Sequence, residues 1–216
     1  MIHSESLEIK QVEFGTISCS FGGLSSQVTK LHQYTLVFLD SHSRHLFKIG
    51  AYGNDTIITR ENLPDNPSSK SFAKGLAKAH EIYNSPGTII LFVVQNPERN
   101  SFDQRWIEYH LLEDHNIQIL RMTLEEVSLS AKLENTKLYV PRTGTLREVS
   151  VVYFRCGYGP EDYPSEAQWK ARHLLESSLA IKCPNIMTQL TTCKKVQEAL
   201  AMPNALERYP CLLKIL

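Results

Sequence analysis

Arg155 stands directly after the uncharged run Val151-Val152-Tyr153-Phe154. A planar guanidinium offers two parallel donors at fixed spacing, which is the geometry that pairs with a carboxylate. A structural ion pair is the competing role for the same side chain. A second polar group, Glu98-Arg99-Asn100, follows another uncharged run, Thr88 to Val94, through Gln95-Asn96-Pro97. Glu98 suits an amino group and Asn100 a carboxylate, and both residue types also close loops. Gln104 lies three residues after Ser101, the Ser-x-x-Gln spacing of a capping box, so helix capping and ligand contact both stay open for it. A third stretch, Gly15-Thr16-Ile17-Ser18-Cys19-Ser20-Phe21-Gly22-Gly23, is small and polar, and its backbone N–H groups and hydroxyls can surround a ligand.

Other chemistries leave no trace. No Gly-x-x-x-x-Gly-Lys phosphate loop occurs, and no Gly-x-Gly-x-x-Gly follows a strand. The eight histidines lack His-x-x-x-His or His-Glu-x-x-His spacing. The five cysteines, Cys19, Cys156, Cys183, Cys193 and Cys211, are odd in number and never form Cys-x-x-Cys, which points to free thiols rather than a disulfide framework or a zinc site. Acidic and basic residues balance at 23 each, so neither nucleic acid nor an anionic membrane is indicated as a partner. The first residues lack a signal-peptide pattern, and no apolar run approaches the roughly 20 residues of a membrane span. The expectation is a soluble cytoplasmic protein.

The elements that must hold these residues follow from periodicity. Thr88 to Val94 reads as a strand buried on both faces, the signature of a parallel sheet covered by helices. Ser101 opens a helix carrying Phe102, Trp106, Ile107 and Leu111 inward and ending near Asn116, before a strand over Ile117 to Met122; together they form a βαβ unit. Leu24 to Leu39 and Ser69 to Tyr83 read as further helices, the first burying Leu24, Val28, Leu31 and Phe38, the second Phe72, Leu76, Ala79 and Tyr83. Thr123 opens a short helix with Glu126 at the capping-box position. Leu138 to Val149 reads as a hairpin turning at Arg142-Thr143-Gly144, and Val151 to Phe154 as a third buried strand. Ser165 starts a helix with Trp169, Leu175 and Leu179 inward, Ile186 to Leu190 reads as a fourth strand, and Thr192 caps a helix with Lys194, Lys195, Val196 and Leu200. Short strands are expected at Leu7 to Phe14 and Thr56 to Thr59. The loops at Glu98 and Arg155 both sit at carboxyl ends of parallel strands, where open α/β sheets bind ligands, so they are expected to converge on one crevice. The fold expected is α/β, three-layered, with a mainly parallel sheet flanked by helices in a Rossmann-like substrate-binding domain. Its divisions are 1–86, 87–200 and a tail at 201–216.

Four stretches together resemble eukaryotic glutathione synthase. They are Gln11-Val12-Glu13-Phe14 with Thr16 to Gly23; Gln95 to Arg105; Val151 to Arg155 with Gly157-Tyr158; and Lys182-Cys183-Pro184 through Gln189-Leu190 to Lys194-Lys195-Val196-Gln197. The resemblance implies an ATP-dependent ligase that phosphorylates the cysteinyl carboxylate of γ-glutamylcysteine and lets glycine attack the acyl phosphate, giving glutathione. Ile17, Ser18, Cys19 and Ser20, then Glu98, Arg99, Asn100 and Gln104, then Arg155 and Tyr158 would line the γ-glutamylcysteine site. Glu13 would hold magnesium and ATP, and Lys194 would meet ATP phosphate; no residue is assigned a catalytic role. Gly15 stands where the family places an asparagine that helps bind magnesium. The family continues past the Lys194 helix into an ATP-grasp domain with a glycine-rich lid, so this chain is expected to carry the γ-glutamylcysteine-binding part and to be inactive alone. The alternative is an inactive γ-glutamyl-thiol-binding module, or a partner of a full-length subunit. Family members are homodimers, and the implied partners are γ-glutamylcysteine, glycine and glutathione.

Overall fold

A computed structural model describes residues 5, 6, 8, 9, 13–42, 60–205 and 208. Two compact units are distinguished, one of Met1–Cys19, Ile82–Pro97 and Leu120–Leu216, the other of Ser20–Glu81 and Glu98–Ile119. No helix among the described residues is long and apolar enough to cross a membrane. The expected strands at Leu7 to Phe14 (in large part) and Thr56 to Thr59 lie outside the described residues, as does the apolar end, Leu212 to Leu216.

The first unit is built on a six-stranded sheet ordered β2-β1-β5-β4-β3, with β6 also paired to β5. The strands are β1 (Ile89–Val93), β2 (Ile119–Met122), β3 (Lys132–Glu134), β4 (Lys137–Arg142), β5 (Thr145–Phe154) and β6 (Ile181–Cys183). The sheet is mixed: β5 runs parallel to β1 and β6, while β3, β4 and the start of β5 form an antiparallel meander. The expected hairpin strand and the expected strand at Val151 are one continuous ten-residue strand. Its first half pairs with β4 and its second with β1 and β6, so one element carries both arrangements. Both hairpin turns have two central residues of positive φ, Asn135-Thr136 and Thr143-Gly144. That backbone matches the twist of the flanking strands.

Every residue of β1 is buried, as its uncharged, β-branched sequence requires. Leu91, Val93, Val152 and Phe154 pack with Leu124 and Val127 of α4 (Leu124–Ser130) and with Ala171 and Leu175 of α5 (Glu166–Ser177). Phe92 and Tyr153 alternate to the other face and meet edge to face, centroids 4.9 Å apart. The Thr123 capping box is complete, with Thr123 Oγ1 accepting from Glu126 N at 3.1 Å and Glu126 Oε2 from Thr123 N at 2.7 Å. On α5, Leu175 is buried as expected, whereas Trp169 is 53% exposed and stacks on Tyr163 at 4.0 Å, and Leu179, beyond the helix, is exposed. Ile186 to Leu190 is a helix, α6 (Ile186–Leu190), and not a strand. Pro184 has no N–H for a ladder, and Asn185 Oδ1 accepts from Thr188 N at 2.8 Å, which starts the helix. Cys193, not Thr192, occupies the cap position of α7 (Lys194–Ala201).

The second unit holds α1 (Gly22–His42), α3 (Ser101–His115) and nearly all of α2 (Ser68–Tyr83). The buried face of α1 is made of small residues, Gly23 and Ser26, while Val28, Leu31 and Phe38 are exposed, contrary to the periodicity. Close approach explains this, since a Cβ on Gly23 would lie 2.3 Å from the backbone oxygen of Asp103 on α3. On α2 the buried face centres on Ala73, Leu76 and Ala77. Ile107 and Leu111 of α3 are buried, but Phe102, in its first turn, is 80% exposed. Asn116 ends α3 in the left-handed conformation.

Candidate functional site

In the first unit, the ladder of β5 continues one residue beyond the strand, with Arg155 N donating to Val93 O at 2.8 Å. Alternation then turns the Arg155 side chain to the face of Tyr153, while Phe154 and Cys156 join the core beneath α4 and α5. Arg155 is buried, and its Nη1 donates to the carbonyl of Cys19. Two of the residues expected in the site, far apart in sequence, therefore meet at the carboxyl end of β5.

The segment leading to Cys19 is fastened by hydroxyls. Thr16 N donates to Thr192 Oγ1 at 3.0 Å, Thr16 Oγ1 donates to Thr188 O at 3.0 Å, and Thr192 Oγ1 donates to Phe14 O at 3.1 Å. Thr192 is thus a clamp on this segment rather than a helix cap. Ile17 packs against the core and Ser18 adopts a positive φ of 52°, which turns the chain toward Cys19. Burial pushes the Tyr153 phenol up, opposed by the neighbouring Arg155 charge, and burial likewise raises the Cys183 thiol. Both groups stay protonated near neutral pH.

Tyr158 is half exposed, and its hydroxyl accepts from Gln95 Nε2 at 3.0 Å. Its loop is held by Asp162, whose Oδ2 accepts from Gly157 N at 2.8 Å and Tyr158 N at 3.3 Å, and by Gln189 Nε2, which donates to Gly157 O at 2.8 Å. Gly157 has φ +86°, and a Cβ there would lie 2.8 Å from the Tyr163 hydroxyl, so only glycine fits without displacement. Lys194 Nζ donates to Glu13 Oε2, an exposed ion pair that holds the Glu13 carboxyl below its ordinary range.

In the second unit, Glu98 Oε1 accepts from Asn100 N at 2.8 Å, and Asn100 Nδ2 donates to Ser20 Oγ at 3.3 Å. Arg99 is exposed. Asn100 occupies the cap position of α3, with no side-chain capping bond, so the Ser101–Gln104 capping box does not form; Gln104 is instead 1% exposed. Asp103 is the organiser here, its carboxylate accepting from Phe21 N at 2.9 Å, Gly23 N at 2.8 Å and Leu24 N at 2.9 Å, where α1 begins.

Sequence reasoning gave no role to the acceptors and clamps Asp103, Asp162, Gln95 and Gln189, and it gave Thr192 a different one, a helix cap. Asp162 had a local signal, because an aspartate just after Gly157-Tyr158-Gly159 is the residue type that closes turns through backbone N–H groups.

The family model of eukaryotic glutathione synthase matches residues 88–191. The chain is 41% identical over 209 residues to the chloroplastic glutathione synthetase of Arabidopsis thaliana, which covers 97% of this chain and 36% of that protein. It is 44% identical over 200 residues to glutathione synthetase of Homo sapiens, covering 92% of this chain and 38% of that protein. The chain thus spans little more than a third of the length of these relatives. Among solved structures, a glutathione synthetase-like effector from Globodera pallida in its apo form superposes with a TM-score of 0.69 at 20% identity, over 92% of this chain and 41% of that one. At that identity the likeness establishes the fold alone.

Proposed function

Because the chain belongs to the eukaryotic glutathione synthase family, we propose that it supplies the γ-glutamylcysteine-binding part of an ATP-dependent ligase that joins glycine to that dipeptide. The observation that carries this reading is the bond from Arg155 to the Cys19 carbonyl, which joins segments 136 positions apart at the carboxyl end of a buried strand. In the reaction this family implies, the cysteinyl carboxylate becomes an acyl phosphate that the amine of glycine attacks. Arg155 would hold a substrate carboxylate through paired N–H donors, and Tyr158, aligned by Gln95, would close on the same ligand. Ile17, Ser18 and Cys19 would line it from the clamped segment. Ser20, Glu98, Arg99, Asn100 and Gln104 are the other residues that the family resemblance assigns to this substrate.

ATP and magnesium enter this reading only through Glu13 and Lys194, with Lys194 directed at a nucleotide phosphate. Among the described residues no group of three or more His, Cys, Asp or Glu side chains is placed to hold a metal ion. Glu13 is engaged by Lys194, and Gly15 brings no side-chain oxygen. These residues by themselves do not make a magnesium site, and no step is assigned to the metal here. The pairing of Glu13 with Lys194 is the observation behind a second reading, a γ-glutamyl-thiol-binding module without chemistry of its own.

Calorimetry tests the binding. The purified chain should take up γ-glutamylcysteine, and Arg155→Ala should weaken uptake by about 1.5–3 kcal/mol, the worth of hydrogen bonds to a charged group. Equal affinity of the two proteins would remove Arg155 from the site. Supplied with ATP, magnesium, γ-glutamylcysteine and glycine, the 216-residue chain should release no ADP coupled to glutathione, because phosphoryl transfer depends on neutralising charge that two residues cannot neutralise. Sustained turnover would rule out the module reading.

A further inference from the structure

Among the described cysteines, all free thiols, Cys19 and Cys183 stand on the Arg155 face of the first unit. Cys183 ends β6 and is paired in parallel register with Tyr153 of β5. Residues paired across a ladder point to the same face, so the Cys183 side chain shares the face of Tyr153 and Arg155. Cys19 arrives there from its loop, its carbonyl accepting from Arg155 Nη1. Three residues earlier, Thr16 is bonded to Thr188 O and Thr192 Oγ1, so the loop runs beside the segment that follows β6. The two sulfurs also act on one another and on the same phenol: a Cys19 thiolate pushes the Cys183 thiol up, and charge on either sulfur pushes up Tyr153. Cys156 lies in the core on the opposite face, and Cys193 is exposed at the cap of α7.

The two thiols differ as a stepwise exchange requires. Cys19 is exposed in a loop that belongs to no helix or strand, open to a reagent in solution. Cys183 is half-buried at a strand end, where burial first, and then the Cys19 charge, hold its proton. A thiol so placed is a poor entry point for a dissolved reagent. It is a competent second partner, because a Cys19 that has entered a disulfide carries no charge and no longer holds the Cys183 proton.

We propose that Cys19 and Cys183 form a thiol–disulfide exchange site that takes small-molecule disulfides as oxidant and closes into an intrachain bond. In the first step the Cys19 thiol gives its proton to water and its sulfur attacks one sulfur of the oxidant. The oxidant's S–S bond breaks, and the released thiolate takes up a proton. In the second step Cys183 loses its proton and attacks the Cys19 sulfur, which expels the other half of the oxidant as a second thiol. Two electrons pass from the protein to the oxidant, and one small disulfide becomes two thiols. The new bond ties the loop that meets Arg155 to β6, and it forms or fails whether or not that face holds γ-glutamylcysteine.

The probe is 2-hydroxyethyl disulfide, which has no γ-glutamyl group, so the outcome is independent of the substrate reading. After incubation with the folded full-length chain, remaining thiols are blocked with iodoacetamide and the digest is mapped by mass spectrometry. A linked pair of peptides holding Cys19 and Cys183 is expected, free of probe and cleaved by dithiothreitol. Cys183→Ala should leave Cys19 carrying a persistent mixed disulfide, and Cys19→Ser should slow oxidation of Cys183 at least about tenfold. The linked pair is read in the wild-type chain, so the result does not depend on either variant folding. A wild-type mixed disulfide at Cys19 as persistent as that in Cys183→Ala would overturn the proposal. So would a bond from wild-type Cys19 to Cys193, a Cys183 that stays reduced, or undiminished oxidation of Cys183 in Cys19→Ser.

Discussion

Single side chains that accept backbone N–H groups carry much of the local order in this protein. Asp103 is buried and satisfies three donors at the start of α1. Replacing it with alanine would leave Phe21, Gly23 and Leu24 N–H groups without that partner, and should lower stability by at least about 2 kcal/mol, measured by urea denaturation. Gly23→Ala should cost about 1–3 kcal/mol at the same junction, because the added methyl meets backbone that cannot rotate away. A wild-type midpoint in either variant would show that the junction is not under this constraint. At this scale Arg155 was legible, since its place after an uncharged run announced a strand-end residue. Asp103 was not, because its partners lie some eighty positions away and leave no pattern beside it. Of the two roles left open for Gln104, capping did not form: the spacing fits a capping box, but the side chain is buried and Asn100 takes the cap position.

Among the elements, those with a strong period or a complete local signal formed where their residues placed them. The run at Thr88, the capping box at Thr123 and the Thr143-Gly144 turn are examples. The helix faces were harder. Leucines and phenylalanines at helical spacing on α1 did not locate its buried side, because a helix that approaches another closely buries glycine and serine instead. The stretch Ile186 to Leu190 looked like a strand from its apolar ends, while the true edge strand lay just before Pro184, where three residues give no readable period. On α2, burial pushes His80 below its ordinary value of 6.5. The unfolded chain takes up that proton near 6.5 and the folded chain only at lower pH. The stability it contributes is therefore present above about pH 6.5 and is lost as the pH falls through the folded value. His80→Gln should flatten this acid limb in denaturation curves recorded between pH 7 and 5; an unchanged limb would show that other groups cause it.

For the molecule as a whole, the match to little more than a third of each full-length relative makes the ligand, rather than the complete reaction, the quantity to measure first. The sheet of the first unit also has a consequence for the order in which the chain assembles. Strand β5 belongs to a local hairpin through its first half and to a long-range parallel ladder through its second. Hairpins close in about 1–10 μs, whereas contacts between distant segments must first meet the cost of closing a long loop. The β4–β5 hairpin should therefore form early and present the far half of β5 as a ready edge for β1. Gly144, at φ +77° in the tight turn, is the position to probe. Gly144→Val forces a β-branched residue into that conformation and should slow folding while changing unfolding little. The opposite partition in stopped-flow chevrons, faster unfolding with unaltered folding, would mean that β1 and β5 find each other before the turn is made.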